Sequence, residues 1–527
     1  MKKSNLIFII VMCFINLLFV NGQNLDNKFG NNGKLTTEIS TAGDNTILSL
    51  AIRTDNKIVA VGRSQNSIGY CDFSLACYNI DGTLDVNFGK KGQLITPVSK
   101  GRNSAKAVAI QPDNKIVVAG YADNSVLKCS SIDCQRDFAV IRYTTDGALD
   151  YSFGKNGVTI TDFGSGYDGA SSLAIQSDGK IVVAGNAYDG SSKHIALVRY
   201  SDGNLDNSFG QSGKILTHLE GSSSAQSIFI FSDGKILIGG NIYNGKDYDF
   251  VFVRYNSDGS IDKSFGIDGL AIIDASHDND YMLSTILQPD GKIIGIGYSG
   301  GYYVSDFTLV RYNSDGSLDE NFGTSGITST SIDAADKAYS AALMRDGKIV
   351  VVGYTDNGKD RDFSVAMYDK DGKLENGFGK EGKVVTDFRT RSDEAHSVAI
   401  LPDDKIIVAG YSDSEDGSGS DFALAKYITK LNTGIIDFAV SRNSALIYPN
   451  PIVQDATLEY TLNNEETISI SLFDIQGKTI QTIIDNEKQE AGKYQHPISL
   501  STELPSGVYI ILISSSNGRM AVKIVKQ

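Results

Sequence analysis

The hexapeptide Leu25-Asp-Asn-Lys-Phe-Gly30 returns six times along this chain, at intervals of 56 to 65 residues. The further copies begin at Leu84, Leu149, Leu205, Ile261, Leu318 and Leu374. A second signature, similar to DGKIVVAG, also occurs seven times, and a third, similar to DFALVRY, closes most of the units. Self-similarity at a fixed period predicts an array of small structural units instead of one large core.

Each unit predicts four short antiparallel strands, a to d. In the third unit these are Ser172–Gln176, Ile181–Gly185, Ile195–Tyr200 and Lys214–Thr217. All four are rich in Val, Ile, Leu or Tyr, and Asp-Gly or similar turn pairs separate a from b and c from d. No segment has the periodicity of an amphipathic helix, so we expect almost no helices.

The strands at the two ends of the repeat region are complementary. The last unit has a strand c at 422–427 but no strand d, whereas the mature N-terminus supplies a lone strand d at 34–39. We therefore predict an all-β seven-bladed β-propeller of four-stranded blades, closed by the N-terminal strand. An open β-solenoid is the alternative, and it would leave sheet edges exposed.

A different pattern follows the repeats. Residues 429–444 are interpreted as a connector, and 445–527 show alternating strands that predict a small, immunoglobulin-like β-sandwich. Residues 1–22 have the form of a signal peptide, with Lys2 and Lys3 before the apolar run Leu6–Val20. The propeller is assigned to 23–428. After signal cleavage we expect no transmembrane anchor; a retained anchor helix is the alternative.

The motifs resemble two known families. The three repeat signatures, from Leu25 to Tyr427, are similar to the delta-60 repeat of bacterial exoproteins, which implies a propeller-like fold and no agreed ligand. Residues 446–527 resemble the type A sorting domain of the type IX secretion system, which implies that the secretion machinery is a partner and that the chain is released or attached to the cell surface. An accessory sandwich that stays attached is the alternative. The residues that carry this resemblance are Pro449, Asn450, Pro451, Gly477, Gly507 and Tyr509.

Export makes disulfides possible. Cys129 and Cys134 lie in one loop, so we predict a bridge between them. Cys71 and Cys77 lie on one extended segment, where six residues of strand span about 20 Å and prevent a mutual bridge. Their pairing is left open.

No catalytic constellation is evident in the sequence. The formal net charge of −15 disfavours nucleic acid as a partner. The five histidines are scattered, and the G-x-S-x-G match at Ser299 follows a strand without the helix that a nucleophile elbow needs. No cofactor is predicted, although Ca²⁺ is possible at Asp274, Asp278 and Asp280, which cluster in one loop. A second acidic loop contains Asp413, Glu415, Asp416 and Asp421.

The d–a and b–c connections vary between units, whereas the a–b and c–d turns are nearly uniform. In an up-and-down blade both variable sets emerge on one side, here called the variable-loop face. Variable loops on a rigid scaffold are where binding sites are usually found. We therefore expect a secreted, non-catalytic propeller that binds an extracellular glycan or protein at this face. The alternatives are a glycan lyase or hydrolase, with two convergent carboxylates or a His–Tyr pair near the central channel, and a purely structural exoprotein.

Overall fold

The computed structural model describes residues 24–123, 135–164, 166–301, 303–429, 445–462, 464–474, 479–515 and 518–527. Every regular element in these ranges is a strand, and the chain divides into two compact units, described here one at a time. The strands of the first unit are β1 (Lys34–Thr37), β2 (Asn45–Ile52), β3 (Ile58–Gln65), β4 (Cys71–Tyr78), β5 (Gln93–Thr96), β6 (Asn103–Ile110), β7 (Ile116–Asp123), β8 (Arg136–Tyr143), β9 (Val158–Thr161), β10 (Gly169–Ile175), β11 (Ile181–Tyr188), β12 (Lys193–Ser201), β13 (Asn204–Leu205), β14 (Lys214–Thr217), β15 (Ser223–Ile230), β16 (Ile236–Tyr243), β17 (Tyr248–Tyr255), β18 (Leu270–Ile273), β19 (Asp280–Leu287), β20 (Ile293–Gly300), β21 (Ser305–Tyr312), β22 (Ile327–Thr330), β23 (Ala335–Leu343), β24 (Ile349–Asp356), β25 (Arg361–Tyr368), β26 (Lys383–Thr386), β27 (Asp393–Ile400), β28 (Ile406–Asp413) and β29 (Ser420–Tyr427).

These strands form seven antiparallel sheets, the blades of a propeller. Blades 1 to 6 begin with β2, β6, β10, β15, β19 and β23, and each continues with the strands that follow it in the chain. Blade 7 consists of β27, β28, β29 and β1. The first strand of every blade contacts the first strand of both neighbouring blades, so these seven strands form a closed inner ring. The predicted all-β propeller is confirmed.

The N-terminal strand closes the ring. β1 pairs antiparallel with β29, with Lys34 opposite Ala425 and Thr37 opposite Phe422. Asn24 extends the contact, because its side-chain amide donates to the carbonyl of Ile428 at 3.1 Å. The unpaired strand near the N-terminus, β1, therefore supplies the outer strand that blade 7 lacks.

The repeated Arg, Asp and Phe residues form one structural unit on the face opposite the variable loops. In blade 4, Arg254 Nε donates to Asp262 Oδ2 at 2.7 Å, and the guanidinium lies 4.5 Å from the centre of the Phe265 ring. Burial opposes ionisation of Asp262, but hydrogen bonds from Ser264 and Lys235 and the charge of Arg254 outweigh it and lower its pKa. Arg254 Nη1 also donates to the carbonyl of Ser314 in the next blade. The ion pair lies within one repeat unit, and the main-chain contact joins two.

Buried tyrosines tie neighbouring blades together. Tyr255, at the end of β17, is fully buried and its hydroxyl lies 2.7 Å from Thr217 Oγ1, at the end of the outer strand of the preceding blade. Equivalent contacts join Tyr143 to Thr96, Tyr200 to Thr161 and Tyr427 to Thr386. Hydrophobic clusters fill the spaces between adjacent blades, for example between blades 3 and 4.

The second unit contains two sheets that share one hydrophobic core. Their strands are β30 (Ala445–Tyr448), β31 (Asp455–Leu462), β32 (Glu466–Asp474), β33 (Thr479–Gln489), β34 (Gly492–Ser499), β35 (Gly507–Ser515) and β36 (Gly518–Lys526). One sheet is β30-β31-β34 and the other is β33-β32-β35-β36. The two-sheet arrangement agrees with a small sandwich, and its immunoglobulin-like character stays a prediction.

The predicted sorting residues lie at two places in this unit. Asn450, between Pro449 and Pro451, accepts from the amide of Val525 and donates to the carbonyl of Lys523, so this loop holds the last strand. Gly507 begins β35, and the Tyr509 hydroxyl donates to the carbonyl of Pro505 at 2.8 Å. Gly477 lies outside the described residues. Whether these residues direct secretion stays a prediction.

The structure describes two of the four cysteines that were considered. Cys71 and Cys77 lie at opposite ends of β4 and both are free thiols. Cys129 and Cys134 lie outside the described residues, as do the predicted signal peptide and most of the connector. Their bridge, the cleavage and the domain limits therefore stay predictions.

Closure by the N-terminus predicts the effect of two matched substitutions. Phe29 and Phe209 occupy the same place in two repeat units, and both are fully buried. If the N-terminal segment is packed as firmly as an internal repeat, each substitution leaves a cavity of similar size. Phe29→Ala and Phe209→Ala should then each lower the free energy of unfolding by about 3–5 kcal/mol. Urea unfolding of the mature protein measures both. A loss below about 0.5 kcal/mol for Phe29→Ala, within the range of surface substitutions, would show that the N-terminal segment is not part of the folded ring.

Candidate ligand-binding site

One β-bulge interrupts the inner strand of every blade and determines which side chains enter the ring. The pairing register shifts around a single residue, for example between Ala105 and Ala107 and between Ala395 and Ser397. A bulge leaves the extra residue unpaired and redirects its side chain. The seven bulged residues are Leu48, Lys106, Ser171, Gln226, Leu283, Tyr339 and His396.

The glycine of the DGKIVVAG signature lies opposite each bulge. A Cβ atom on Gly120 would lie 1.9 Å from the carbonyl oxygen of Ser104, and one on Gly410 would lie 1.8 Å from that of Glu394. No side chain fits at these positions, so the repeated glycine is explained by the bulge across from it. The repeat conserves the bulge in all units while the bulged residue itself changes.

Aromatic side chains extend around blades 4 to 7 on the variable-loop side of the inner ring. The rings of Tyr248 and Tyr298 each lie 5.2 Å from that of Tyr281. In blade 6, Tyr339 lies 5.9 Å from Tyr354, and 4.7 Å from His396 of blade 7. These five tyrosines form the aromatic arc together with Tyr411, whose ring is stacked 5.8 Å from that of His396.

Basic side chains lie on the other side of the ring, in blades 1 and 2. Burial, together with the charges of Arg63 and Arg136, lowers the pKa of Lys106 to about 8. Among the described residues, neither Lys106 nor Arg63 forms an ion pair with a carboxylate. Arg136 stacks on Tyr121 at 4.4 Å and donates to the Tyr167 hydroxyl at 2.6 Å. Lys106, Arg63 and Arg136 form the basic arc.

His396 lies where the two arcs meet. Burial lowers the pKa of His396 to about 3, and the charges of Lys106 and Arg63 contribute to this shift. The imidazole is therefore neutral at physiological pH. Nearby, Glu394 is buried and pairs with Arg361, so the carboxylate at this point is already neutralised. We call the two arcs with His396 the inner-ring site.

The predicted calcium residues separate in the structure. Asp274 and Asp280 come together with Asp249 of the preceding blade, with carboxylate oxygens within 4.8 Å of one another. Asp278 is not part of this group and accepts from the amide of Asn279. The second acidic loop lines a cavity of about 510 Å³, where Glu415, Asp416 and Asp421 face Glu38 and Arg389.

Two of the scattered histidines are neighbours in space. The rings of His194 and His218 lie 4.2 Å apart, and His194 Nε2 lies 2.8 Å from Asp189. Ser299 lies in β20 with its hydroxyl buried, and no helix follows it among the described residues. Neither the histidine pair nor the inner-ring site is evident in the sequence, because their members are separated along the chain and meet only in the folded protein.

The fold defines the class of protein: a seven-bladed β-propeller followed by a small β-domain. Seven stretches of the chain match the beta-propeller family described as domain of unknown function (DUF5122), and residues 446–527 match the secretion system C-terminal sorting domain. The propeller family matches residues 53–88, 111–153, 176–209, 232–265, 288–322, 345–378 and 401–427. The sorting domain places the protein at the cell surface or in the medium. No helix in the described part of the chain is long and apolar enough to cross a membrane.

Three solved structures are similar to parts of this chain at low identity. The polysaccharide lyase Uly1 is 13% identical, covers 78% of this chain and 94% of its own, and has a TM-score of 0.44. The α-L-arabinofuranosidase Arb93A from Fusarium graminearum is 11% identical, covers 63% and 93%, and has a TM-score of 0.36. Sqt1 from Chaetomium thermophilum is 11% identical, covers 75% and 99%, and has a TM-score of 0.36. No curated protein matches the chain.

The neutral state of His396 predicts a pH effect on stability. The folded-state pKa of about 3 lies below the ordinary value of 6.5. As the pH falls below 6.5, His396 therefore binds a proton in the unfolded chain but not in the folded one. Protonation of this residue in the unfolded chain should therefore lower the free energy of unfolding by about 1–2 kcal/mol between pH 7 and pH 5. His396→Gln should lose less stability over this range than the parent protein, as measured by urea unfolding at each pH. His218→Gln is the control, because His218 is well exposed. Equal acid sensitivity of His396→Gln and the parent protein would contradict the burial of this imidazole.

Proposed function

We propose that this protein is a secreted or surface-attached, non-catalytic propeller that binds an acidic glycan at its variable-loop face, through the inner-ring site. The observation that carries the proposal is the unpaired charge of Lys106 and Arg63 beside the aromatic arc. In a chain with a net charge of −15, two unpaired cations in the inner ring are unusual. Burying cations without a partner is costly, and an anionic ligand would remove the cost.

The aromatic arc supports a glycan over a protein partner. Sugar rings pack their C–H faces on aromatic side chains, and Tyr also offers a hydroxyl at the edge of the ring. Tyr281, Tyr298 and Tyr354 are contributed by strands, which hold their rings more rigidly than loops do. Guanidinium and ammonium groups provide charge-assisted hydrogen bonds to carboxylate or sulfate groups. A polymer that carries both features fits the two arcs together.

A glycan lyase is the second candidate, and one observation favours it. A lyase on this scaffold needs a His–Tyr pair near the central channel, and the rings of His396 and Tyr339 lie 4.7 Å apart. However, burial raises the pKa of Tyr339. A proton-abstracting tyrosinate needs the opposite shift, so the binding function is preferred.

Binding is tested with substitutions on the two faces of the propeller. Lys106→Met and Tyr298→Ala change the inner-ring site, and Lys263→Met is the control, because Lys263 is exposed in the c–d turn region on the opposite face. The mature protein is titrated with alginate, polygalacturonate and chondroitin sulfate, and with neutral dextran for comparison. Losing one charge-assisted hydrogen bond should weaken binding of an acidic polymer about 10- to 100-fold, and Lys263→Met should have no effect.

The same titrations separate the alternatives. Equal affinity of the parent protein and Lys106→Met for every acidic polymer would reject the inner-ring site as the binding site. Accumulation of unsaturated uronate, detected by its ultraviolet absorbance and lost in Tyr339→Phe, would replace the binding function with the lyase. Binding of dextran but of no acidic polymer would reject the role of the basic arc.

A further inference from the structure

Blade 3 departs from the repeat at two positions that are in contact. The second residue of the third strand is aspartate in the other six blades, whereas in blade 3 it is His194. The residue after the outer strand is aspartate in blades 2, 4 and 6, whereas in blade 3 it is His218. The two imidazole rings lie 4.2 Å apart. Blade 3 therefore places two imidazoles side by side where other blades place two carboxylates.

One carboxylate oxygen faces both imidazoles. Asp189 lies in the connection between β11 and β12, and its Oδ2 is 2.8 Å from His194 Nε2 and 4.0 Å from His218 Nδ1. Each of the three residues offers one ligand atom within 4.8 Å of the other two. Around a tetrahedral Zn²⁺ ion with bonds of about 2.0–2.1 Å, ligand atoms lie about 3.3 Å apart. The two distances lie on either side of that value, so small side-chain movements bring all three atoms onto one ion.

Hydrogen bonds hold this carboxylate in one orientation. The other oxygen of Asp189, Oδ1, accepts from the amides of Ser191 and Ser192 and from the Ser191 hydroxyl, at 2.7 to 3.0 Å. These donors all use Oδ1 and leave Oδ2 to the histidines. Carboxylates that bind metals are held in the same way by an outer shell of hydrogen bonds.

The protein does not satisfy the polar atoms of the two imidazoles. His194 is buried, and its Nδ1 has no hydrogen-bond partner among the described residues. Its Nε2 lies 3.1 Å from Ser192 Oγ as well as near Asp189. The imidazole of His218 forms no hydrogen bond in the described part of the chain. Neither ring is therefore explained by hydrogen bonding alone.

A third position at this junction also has a buried polar atom without a partner. Ser223 begins β15, and its register in the sheet is the same as that of Asp280 in blade 5 and Asp393 in blade 7. Those two aspartates lie within 4.8 Å of the residues equivalent to the histidines. Ser223 is buried, and its hydroxyl has no partner among the described residues. Buried polar atoms left without partners at one place indicate an ion or a water that belongs there.

The three ligand residues differ in their access to solvent. The side chain of His194 is only 6% exposed, whereas those of Asp189 and His218 are 29% and 59% exposed. One ligand is thus fixed inside the fold, and the other two line an entry path from the variable-loop face. A metal site needs such a path as well as its ligands.

We propose that Asp189, His194 and His218 bind one Zn²⁺ ion at the edge of blade 3 that faces blade 4. Two imidazoles and a carboxylate suit Zn²⁺, whereas Ca²⁺ and Mg²⁺ prefer sites made of oxygen atoms alone. Three protein ligands leave the fourth position of the ion for water or for a donor atom of a bound partner. The proposal is independent of the glycan-binding function.

The test uses the mature, full-length protein without an affinity tag, stripped with EDTA and then dialysed against ZnCl₂. Bound zinc is counted by atomic emission, and the thermal midpoint is recorded in parallel. We expect the parent protein to bind zinc with a raised midpoint, and His218→Gln to lose one ion per chain. Loss of a ligand should weaken this site by at least the roughly 10- to 100-fold that loss of an outer-shell partner costs. In EDTA, His218→Gln should unfold at the parent midpoint, because this side chain is mostly exposed.

Two further variants keep the result interpretable. Asp189→Asn changes a ligand in a different segment and should lose the same ion. His277→Gln is the matched control, because His277 lies in the equivalent loop of blade 4, with its Nδ1 2.9 Å from Asp274, in a group that contains no second histidine. It should keep the zinc that the parent binds, and excess CaCl₂ should not displace this ion. Absence of saturable zinc binding by the parent, an unchanged count in His218→Gln, an equal loss in His277→Gln, or displacement by CaCl₂ would overturn the proposal.

Discussion

The antiparallel pairing of β1 with β29 is the contact on which the rest of the propeller depends. It joins residues almost 400 positions apart and gives blade 7 its outer strand. A loop of this length costs only slightly more entropy to close than a much shorter one. In return, every inner strand has two neighbours, and the buried contacts between blades are repeated around the whole ring. Phe29, at the start of the chain, thereby packs in the same cluster as Ile47 of blade 1 and Leu424 of blade 7.

Scaffold and site use different residues on opposite faces. The residues that recur in most units, such as Arg254, Asp262 and Phe265, stabilise the turns and the contact with the next blade. The bulged position of the inner strand has a constant backbone and a variable side chain, from Leu48 to Lys106 to His396. A repeat protein can thus change its binding chemistry at one position per unit without disturbing the fold.

The architecture was predictable from the sequence because its cause is periodic. Strand count, turn positions and the displaced outer strand can all be read along the chain, and the structure confirms them. The partners of the repeated arginine are seen only in the structure: Arg254 pairs with a carboxylate of its own unit and reaches the next one through a main-chain oxygen. Arg142 and Arg311 also lie 3.4 and 3.5 Å from an aspartate of the next unit.

The side chains of the candidate sites were not predictable in the same way, because they meet across blades. Lys106 and His396 belong to blades 2 and 7, and only ring closure brings the charge of Lys106 near the neutral imidazole of His396. Asp274 and Asp280 were selected as loop neighbours with Asp278, whereas their spatial partner is Asp249, from the third strand of the preceding blade. The repeated glycine opposite the bulge was the available signal for the inner-ring positions, since a glycine inside a strand often marks a bulge.

Hydrogen exchange of the mature protein tests ring closure most directly. The amides of β29 should be protected as strongly as those of β17, the equivalent strand of blade 4. Removal of the residues before Glu38 should abolish protection of those β29 amides that bond to β1, while the corresponding amides of β17 keep it. Rapid exchange of β29 in the intact protein, or protection that survives the truncation, would contradict a propeller closed by its N-terminal strand.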